Sequence, residues 1–197
     1  MKTAAQYIAV PRRAAAERSN GFTLVELLAV MLIMAVLVSL VVAVGNWVRE
    51  DAARSKTTTI QDIAMQAVKK FHEEVGRYPG IDEDGNVDPD LSGAMPSGPE
   101  NDETTAVLLE YLQAEDSRVD FSSDDDLVTA IRVATRQTLT DLPEGAMDES
   151  NSYLLDGYEQ RMHYDPEGGL GGRRPVLISA GPDGKFDTED DILSDGG

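Results

Sequence analysis

A short segment near the C-terminus has the residue types and spacing to bind a metal ion. It supplies five side-chain oxygen donors within thirteen residues: Ser179, Asp183, Asp187, Asp190 and Asp191. Gly181 and Gly184 lie among them and allow the backbone to turn and present carbonyl oxygens. About six to eight oxygen ligands suit Ca²⁺, whereas Mg²⁺ demands a stricter octahedron. The segment therefore predicts a calcium site.

An EF-hand and a solvated acidic segment are the other interpretations of the C-terminal acids. The spacing does not fit the EF-hand pattern, and no helices are predicted on either side, so that motif is excluded. A solvated acidic segment beside a strand is the simpler alternative, although clustered acids repel one another unless a cation neutralises them. For a second acidic stretch, Asp82–Asp88, the solvated loop is the preferred interpretation.

Near the N-terminus, one carboxylate lies beside a long apolar run. Residues 27–44 carry no charge, and Ser39 is their only polar side chain. Such a run covers most of the hydrocarbon core of a bilayer when it is helical. Glu26 directly precedes it, where an ionised side chain is costly unless it is paired. The pattern predicts a membrane helix with an acid that requires a partner.

Charge is distributed unevenly along the chain. Of 17 basic and 36 acidic residues, four basic residues and one acid precede Gly21, which leaves 13 basic and 35 acidic residues after it. Positive charge ahead of the apolar run predicts a single pass with the N-terminus in the cytoplasm. The acidic remainder makes nucleic acid a poor partner. The chain has no cysteine, which excludes disulfides and thiolate metal sites.

The sequence offers no catalytic constellation. Its two histidines are His72, which lies off the apolar stripe of a predicted helix, and His163, which alternates away from Met162 and Tyr164 on a predicted strand. Neither has a nucleophile or a metal-ligand pattern nearby, and a G-x-S-x-G motif is absent from the sequence. We therefore expect a protein that is not an enzyme.

The junction ahead of the apolar run identifies a type of protein. Residues 21–28 read G-F-T-L-V-E-L-L, which resembles the processing site of type IV pilins and of the pseudopilins of type II secretion. The resemblance implies that prepilin peptidase cleaves between Gly21 and Phe22 and methylates the new N-terminus at Phe22. It also implies that Glu26 pairs with the N-terminal amine of a neighbouring subunit during assembly. An ordinary single-pass anchor is the alternative.

Two further segments resemble the major pseudopilin, the protein G family. Residues 76–79 read G-R-Y-P, as after the long helix of that family, and the segment from Ser179 resembles its calcium-binding loop. The segment over residues 156–164 resembles a third motif of that family, but only Asp156 and Tyr164 match it. The resemblance implies structural calcium in a filament subunit of the inner membrane and periplasm. Its implied partners are further copies of the chain, prepilin peptidase, minor pseudopilins and the inner-membrane assembly platform.

Two alternatives to the major pseudopilin stay open. An ordinary type IV pilin or a minor pseudopilin is the nearest competitor, while a membrane-tethered calcium-binding module that never polymerises belongs to a different class. The small domain, the missing cysteines and the C-terminal loop favour the pseudopilin.

Hydropathy periodicity predicts four segments and an α+β fold. We expect a cleaved leader over residues 1–21, a transmembrane and filament-core helix over 22–45, its amphipathic continuation over 46–75 and an exported, loop-rich domain over 76–197. Apolar residues recur every three or four positions along the continuation, which indicates one buried face. These are Ala53, Ile60, Ile63, Ala64, Ala67, Val68, Phe71 and Val75.

The exported domain is predicted to contain two short helices and a small antiparallel sheet. Asp102 is positioned to cap a helix that carries Leu108, Leu109 and Leu112, and Ser123 to cap another over residues 124–139. Strands are expected over residues 160–164 and 174–180 because a turn-rich link separates the two runs. Met162 and Tyr164 are expected to face the long helix.

Overall fold

The computed structural model describes residues 22–113, 125–168 and 174–194. The predicted leader, with Gly21, and the predicted cap Ser123 lie outside these ranges. The chain divides into two compact units, Met1–Val44 and Gly45–Gly197. Each unit is described by itself below.

The described residues form three α-helices and one small sheet, which confirms the predicted α+β fold. The helices are α1 (Leu24–Val75), α2 (Thr104–Leu112) and α3 (Asp125–Leu139), and a short 3₁₀ turn spans Pro99–Asn101. The strands are β1 (His163–Asp165), β2 (Val176–Ser179) and β3 (Ile192–Leu193). They form an antiparallel sheet in the order β1-β2-β3. The third strand, β3, is absent from the sequence-based prediction, and β1 begins three residues later than expected.

The second part of α1 packs along one side of the domain core. Its buried apolar residues are Ile60, Ala64, Ala67, Val68 and Phe71, all within the predicted apolar stripe, whereas Ala53, Ile63 and Val75 are half-buried. The helix ends at Val75 because Gly76 adopts a φ of 83° and donates its N–H to the carbonyl of His72 at 2.8 Å. Pro79 prevents the helix from resuming.

Side chains from α2, α3, β1, β2 and neighbouring loops complete this core. Leu108, Leu109 and Leu112 come from α2, as predicted, and Ile131 comes from α3. Met162 and Tyr164 are fully buried in the same cluster as Ile60 and Phe71, so both face the long helix as expected.

A buried glutamine connects α1 to two strands. Gln61 Nε2 donates to the carbonyls of Leu177 on β2, at 3.1 Å, and of Ile192 on β3, at 2.7 Å. Polar side chains that are this deeply buried must be hydrogen-bonded to avoid a large desolvation cost. Gln61 thus satisfies sheet carbonyls and fixes the sheet against the helix.

Replacing Gln61 by Leu is expected to lower the free energy of unfolding by about 1 kcal/mol. The Ile192 carbonyl loses its buried hydrogen-bond donor, which destabilises the folded domain. Part of this loss is offset because the substitution also removes Gln61 Oε1, a buried acceptor that has no partner within the described residues. Denaturant unfolding of the domain from Gly45 measures the change. Gln66→Leu, at an exposed position of the same helix, should change stability by less than about 0.5 kcal/mol. Equal stability of the two variants would contradict the role given to Gln61.

Aspartates close three loops of the domain. Each loop follows an isolated β-bridge residue, and in each an aspartate accepts the N–H of the residue four positions later: Asp82 from Asn86, Asp148 from Ser152 and Asp156 from Gln160. The position before each donor has positive φ: Gly85 at 83°, Asn151 at 56° and Glu159 at 63°. These three aspartates therefore stabilise turns, and Asp82–Asp88 is one of these turns.

Candidate functional site

Glu26 is held at the start of α1 by its own chain. Thr23 donates its backbone N–H and its hydroxyl to Glu26 Oε2, both at 3.0 Å, and Glu26 donates its N–H to Thr23 Oγ1 at 3.2 Å. These reciprocal contacts form a capping box, which satisfies N–H groups that a helix leaves unpaired at its first turn. Thr-Leu-Val-Glu is the sequence signature of this motif, so the signal was present but was not recognised.

The capping box places a carboxylate beside the chain segment that leads into the helix. Phe22, the expected first residue of the mature protein, directly precedes Thr23 and is 74% exposed. Glu26 Oε1 makes no hydrogen bond within the part of the chain that the structure describes. One carboxylate oxygen is therefore occupied by Thr23, and the other remains available to a cationic partner.

The apolar part of α1 is bare along its length within its own unit. Every side chain described there is exposed, including Leu28, Met31 and Leu37. Ser39 satisfies its hydroxyl by donating to the carbonyl of Ala35 at 2.8 Å. Within the described ranges, α1 is the helix that is long and apolar enough to cross a membrane. Such a surface requires lipid or protein around it.

The acidic C-terminal segment forms a loop between β2 and β3. The side chain of Ser179 contacts Asp156 rather than the acids of this loop. Ser179 Oγ donates to Asp156 Oδ2 at 2.6 Å in the domain interior and accepts the N–H of Gly181 at 3.2 Å. Burial raises the pKa of Asp156, opposed mainly by the hydrogen bond from Ser179. The structure thus places Ser179 at the base of the loop, in contact with a second acid.

Backbone N–H groups within the loop bind three of its acids. Asp190 Oδ2 accepts from Asp183 N at 3.1 Å, Asp191 Oδ2 from Asp187 N at 2.9 Å, and Asp183 Oδ1 from Lys185 N at 2.9 Å. A hydrogen bond from the Thr188 hydroxyl lowers the pKa of Asp190, while burial raises that of Asp191. Neighbouring carboxylates therefore differ in how readily each holds a proton.

Glycine is required where the loop closes. Gly181 has a φ of 63°, and a Cβ there would lie 2.4 Å from the carbonyl oxygen of Asp190. Asp187 also adopts a positive φ, 64°. Within the described ranges, no three His, Asp or Glu side chains are arranged to share a metal ion. The loop thus brings Asp183 close to Asp190 and Asp187 close to Asp191 as two pairs.

One buried oxygen faces the loop without a partner. Gln160 Oε1 is inaccessible to solvent, and it makes no hydrogen bond with any described residue. It lies 3.3 Å from the position that a Cβ on Gly184 would occupy. An amide oxygen is a ligand that Ca²⁺ accepts, and a buried acceptor without a donor is costly. This oxygen fits a cation held by the loop, and sequence reasoning did not identify it.

His163 lies in a buried polar cluster that sequence reasoning also missed. Its Nδ1 lies 2.6 Å from Asp102 Oδ2, and its ring is 5.9 Å from that of Phe186, which belongs to the acidic loop. Asp102 Oδ1 accepts the N–H of Thr104 at 2.9 Å and the Thr104 hydroxyl at 2.6 Å, although the N-cap position of α2 is Glu103 and not Asp102 as predicted. Tyr164 N donates to that hydroxyl at 2.7 Å. The Thr104 hydroxyl is fully engaged, so the cluster connects α2 to β1 without offering a nucleophile.

The comparisons with known proteins identify the N-terminal segment alone. No curated protein and no solved structure matches the chain. Residues 18–42 match the family described as "Prokaryotic N-terminal methylation motif". The match covers the junction at Gly21–Phe22, the capping box and most of the apolar part of α1. The N-terminal segment is therefore a type IV pilin-like prepilin signal, the kind that prepilin peptidase processes.

Proposed function

We propose that this protein is a structural subunit of a type II secretion pseudopilus, cleaved after Gly21, methylated at Phe22 and polymerised through α1. The observation that carries the proposal is the prepilin signal, followed by an apolar helix that its own unit leaves bare. A helix of this kind needs lipid before assembly and other helices afterwards. The subunit therefore acts by packing, and the protein is not an enzyme.

Glu26 gives the assembled helices their register. Cleavage creates a cationic α-amine at Phe22, and the Glu26 oxygen that Thr23 leaves available is a suitable partner for that amine on a neighbouring subunit. Little water competes for such a pair inside a bundle of apolar helices, so the attraction exceeds that of a surface ion pair.

The proposed location follows from charge. The basic residues before Gly21 keep the N-terminus in the cytoplasm, the apolar part of α1 spans the inner membrane, and the acidic domain lies in the periplasm. Its partners are other copies of the chain, prepilin peptidase, the minor pseudopilins and the inner-membrane assembly platform. The missing cysteines and the C-terminal loop favour this function over that of a type IV pilin, a minor pseudopilin or a tethered module that does not polymerise.

Mass spectrometry of the N-terminus tests the proposal. The full chain is co-expressed with a prepilin peptidase, and membranes are analysed for a chain that begins with methylated Phe22. A chain that bears Gly21→Glu serves as the control and should keep residues 1–21. An intact N-terminus in the unmodified chain would favour the tethered module, and processed chains that never form filaments would contradict the assembly role.

We also propose that the loop between β2 and β3 holds a structural Ca²⁺. Carboxylates of Asp183, Asp187, Asp190 and Asp191 would supply charge, and Ser179 would secure the base of the loop. The buried Gln160 Oε1 supports a cation because it faces the loop without a donor in the described residues. An ion that binds only the folded domain stabilises it by mass action.

Asp187→Asn should weaken calcium binding by at least about tenfold. The substitution removes one charge but keeps a residue that tolerates the positive φ at this position, so the calcium-free domain should melt at an unchanged temperature. Isothermal titration of the domain from Gly45, with melting curves in calcium and in chelator, measures both quantities. Glu149→Gln, at an exposed acid outside the loop, is the matched control. Absence of calcium uptake by the unmodified domain would refute the site.

A further inference from the structure

Trp47 lies on a bare stretch of α1 that the domain does not cover. In residues 45–52 every described side chain is exposed, and Trp47, the only tryptophan in the chain, is 69% exposed. Ala53 is the first residue after this stretch that is not exposed, and its carbonyl oxygen lies 1.9 Å from where a Cβ on Gly157 would sit. A large aromatic side chain is thus presented to the surroundings ahead of the domain.

The position of Trp47 along the helix matches the thickness of a bilayer. Trp47 follows Leu27 by twenty residues of continuous helix, which correspond to about 30 Å of axis, the thickness of a hydrocarbon core. Measured from Leu24, the first helical residue, the distance is about 35 Å, still within the roughly 40–45 Å that includes both headgroup layers. Whether the span is measured from Leu27 or from Leu24, Trp47 lies at the far boundary of the membrane.

The chemistry of the surrounding residues agrees with that depth. Val48 is exposed and apolar, and Arg49 is the first charged residue after Glu26, so the uncharged run ends at Val48, one residue beyond Trp47. An indole ring combines an apolar body with one N–H donor, and tryptophan concentrates where lipid tails give way to headgroups. The N–H can donate to lipid ester or phosphate oxygens while the ring contacts the upper part of the acyl chains.

We propose that Trp47 is an interfacial anchor that binds the glycerol and headgroup region of the outer leaflet before assembly. The inference rests on the proposed function to the extent that α1 must span a membrane. It fixes the depth of the helix in the bilayer. Ala53 lies six residues farther along the helix, so the domain first contacts α1 about 9 Å beyond the anchor.

Because the chain has a single tryptophan, its own fluorescence tests the proposal. The full chain is reconstituted at low protein-to-lipid ratio in phosphatidylcholine vesicles that carry a spin label near the top or near the end of the acyl chain. We expect emission at shorter wavelength than for an aqueous tryptophan, and quenching by the shallow label at least about twofold stronger than by the deep label. Dominant quenching by aqueous iodide, or stronger quenching by the deep label, would overturn the proposal.

Two further variants calibrate depth in the same vesicles. With Trp47→Phe as background, Val38→Trp places the probe inside the apolar run and Thr58→Trp places it on an exposed position of the domain-bearing part of α1. Fluorescence of the Val38→Trp variant should be quenched most strongly by the deep label, and fluorescence of the Thr58→Trp variant by iodide. Flotation of the vesicles separates the two hypotheses: a chain that does not float refutes the membrane function itself, whereas a floating chain with an aqueous Trp47 refutes only the anchor.

Discussion

Replacing Glu26 by Ala is expected to leave membrane insertion and cleavage intact and to abolish filaments. The apolar run that directs insertion is unchanged, and the bond that we propose is cleaved lies between Gly21 and Phe22, outside the capping box. What is lost is the carboxylate that we propose attracts the Phe22 amine of a neighbouring subunit. We expect the concentration needed for polymerisation to rise at least about tenfold, measured by filament yield on sheared cells or by sedimentation of purified subunits.

The capping box makes a second variant necessary. Alanine removes both the charge and the acceptor for Thr23, so a loss of filaments could arise from a frayed helix start. Glu26→Gln keeps an amide oxygen that can accept from Thr23 and removes only the charge. We expect Gln to abolish filaments as Ala does, because the attraction for the amine requires a full charge.

Two results would contradict this assignment. If Glu26→Gln polymerises normally while Glu26→Ala does not, capping is the essential role of Glu26, and the pairing with Phe22 is wrong. If Ser39→Ala also abolishes filaments, any polar change in the run is harmful and Glu26 is not special. Among the described residues, Ser39 bonds to its own helix, at the Ala35 carbonyl, and should be replaceable.

Periodic patterns were sufficient to predict the helices. The buried face of α1, the three leucines of α2 and the position of α3 all follow from apolar residues at three- and four-residue spacing, and burial of such a face is what stabilises a helix in a small domain. The end of α1 was equally local, because Gly76 and Pro79 each act on their own backbone.

Contacts between distant residues could not be predicted in this way. The Asp102–His163 pair joins residues that are 61 positions apart, and Gln61 reaches carbonyls more than a hundred residues away. A two-residue strand such as β3 shows no alternation, and its pairing depends on where β2 lies. These features are consequences of the fold and leave no periodic signal.

Acidic residues were the hardest to interpret from sequence. The chain has 36 acids, and composition alone does not separate those that close turns from those that are available to a cation. In the structure, Asp82, Asp148 and Asp156 accept turn N–H groups, and acids of the β2–β3 loop accept backbone N–H groups as well. What distinguishes the β2–β3 loop is the adjacent Gln160 Oε1, a buried oxygen without a hydrogen-bond donor among the described residues. The calcium proposal therefore depends on that loop.

Gly157→Ala is expected to destabilise the domain by about 3 kcal/mol. Gly157 donates its N–H to Thr57 Oγ1 at 2.9 Å and lies so close to α1 that a Cβ would meet the Ala53 carbonyl oxygen at 1.9 Å and its carbon at 2.6 Å. These are backbone atoms in the middle of a helix, so they cannot move aside as a flexible side chain would. The loop must retreat from α1, which breaks the bond to Thr57 and strains the turn that Asp156 closes.

Gly93→Ala is the matched control for this prediction. No atom lies within 4 Å of the position that a Cβ on Gly93 would occupy, and the backbone there is not in the positive-φ region. Its free energy of unfolding should therefore stay within about 0.5 kcal/mol of the unmodified domain, as for most surface substitutions. Denaturant unfolding of both variants, made in the domain from Gly45, gives the comparison. Equal stability of Gly157→Ala and Gly93→Ala would show that the turn at Gly157 does not pack against α1 at Ala53.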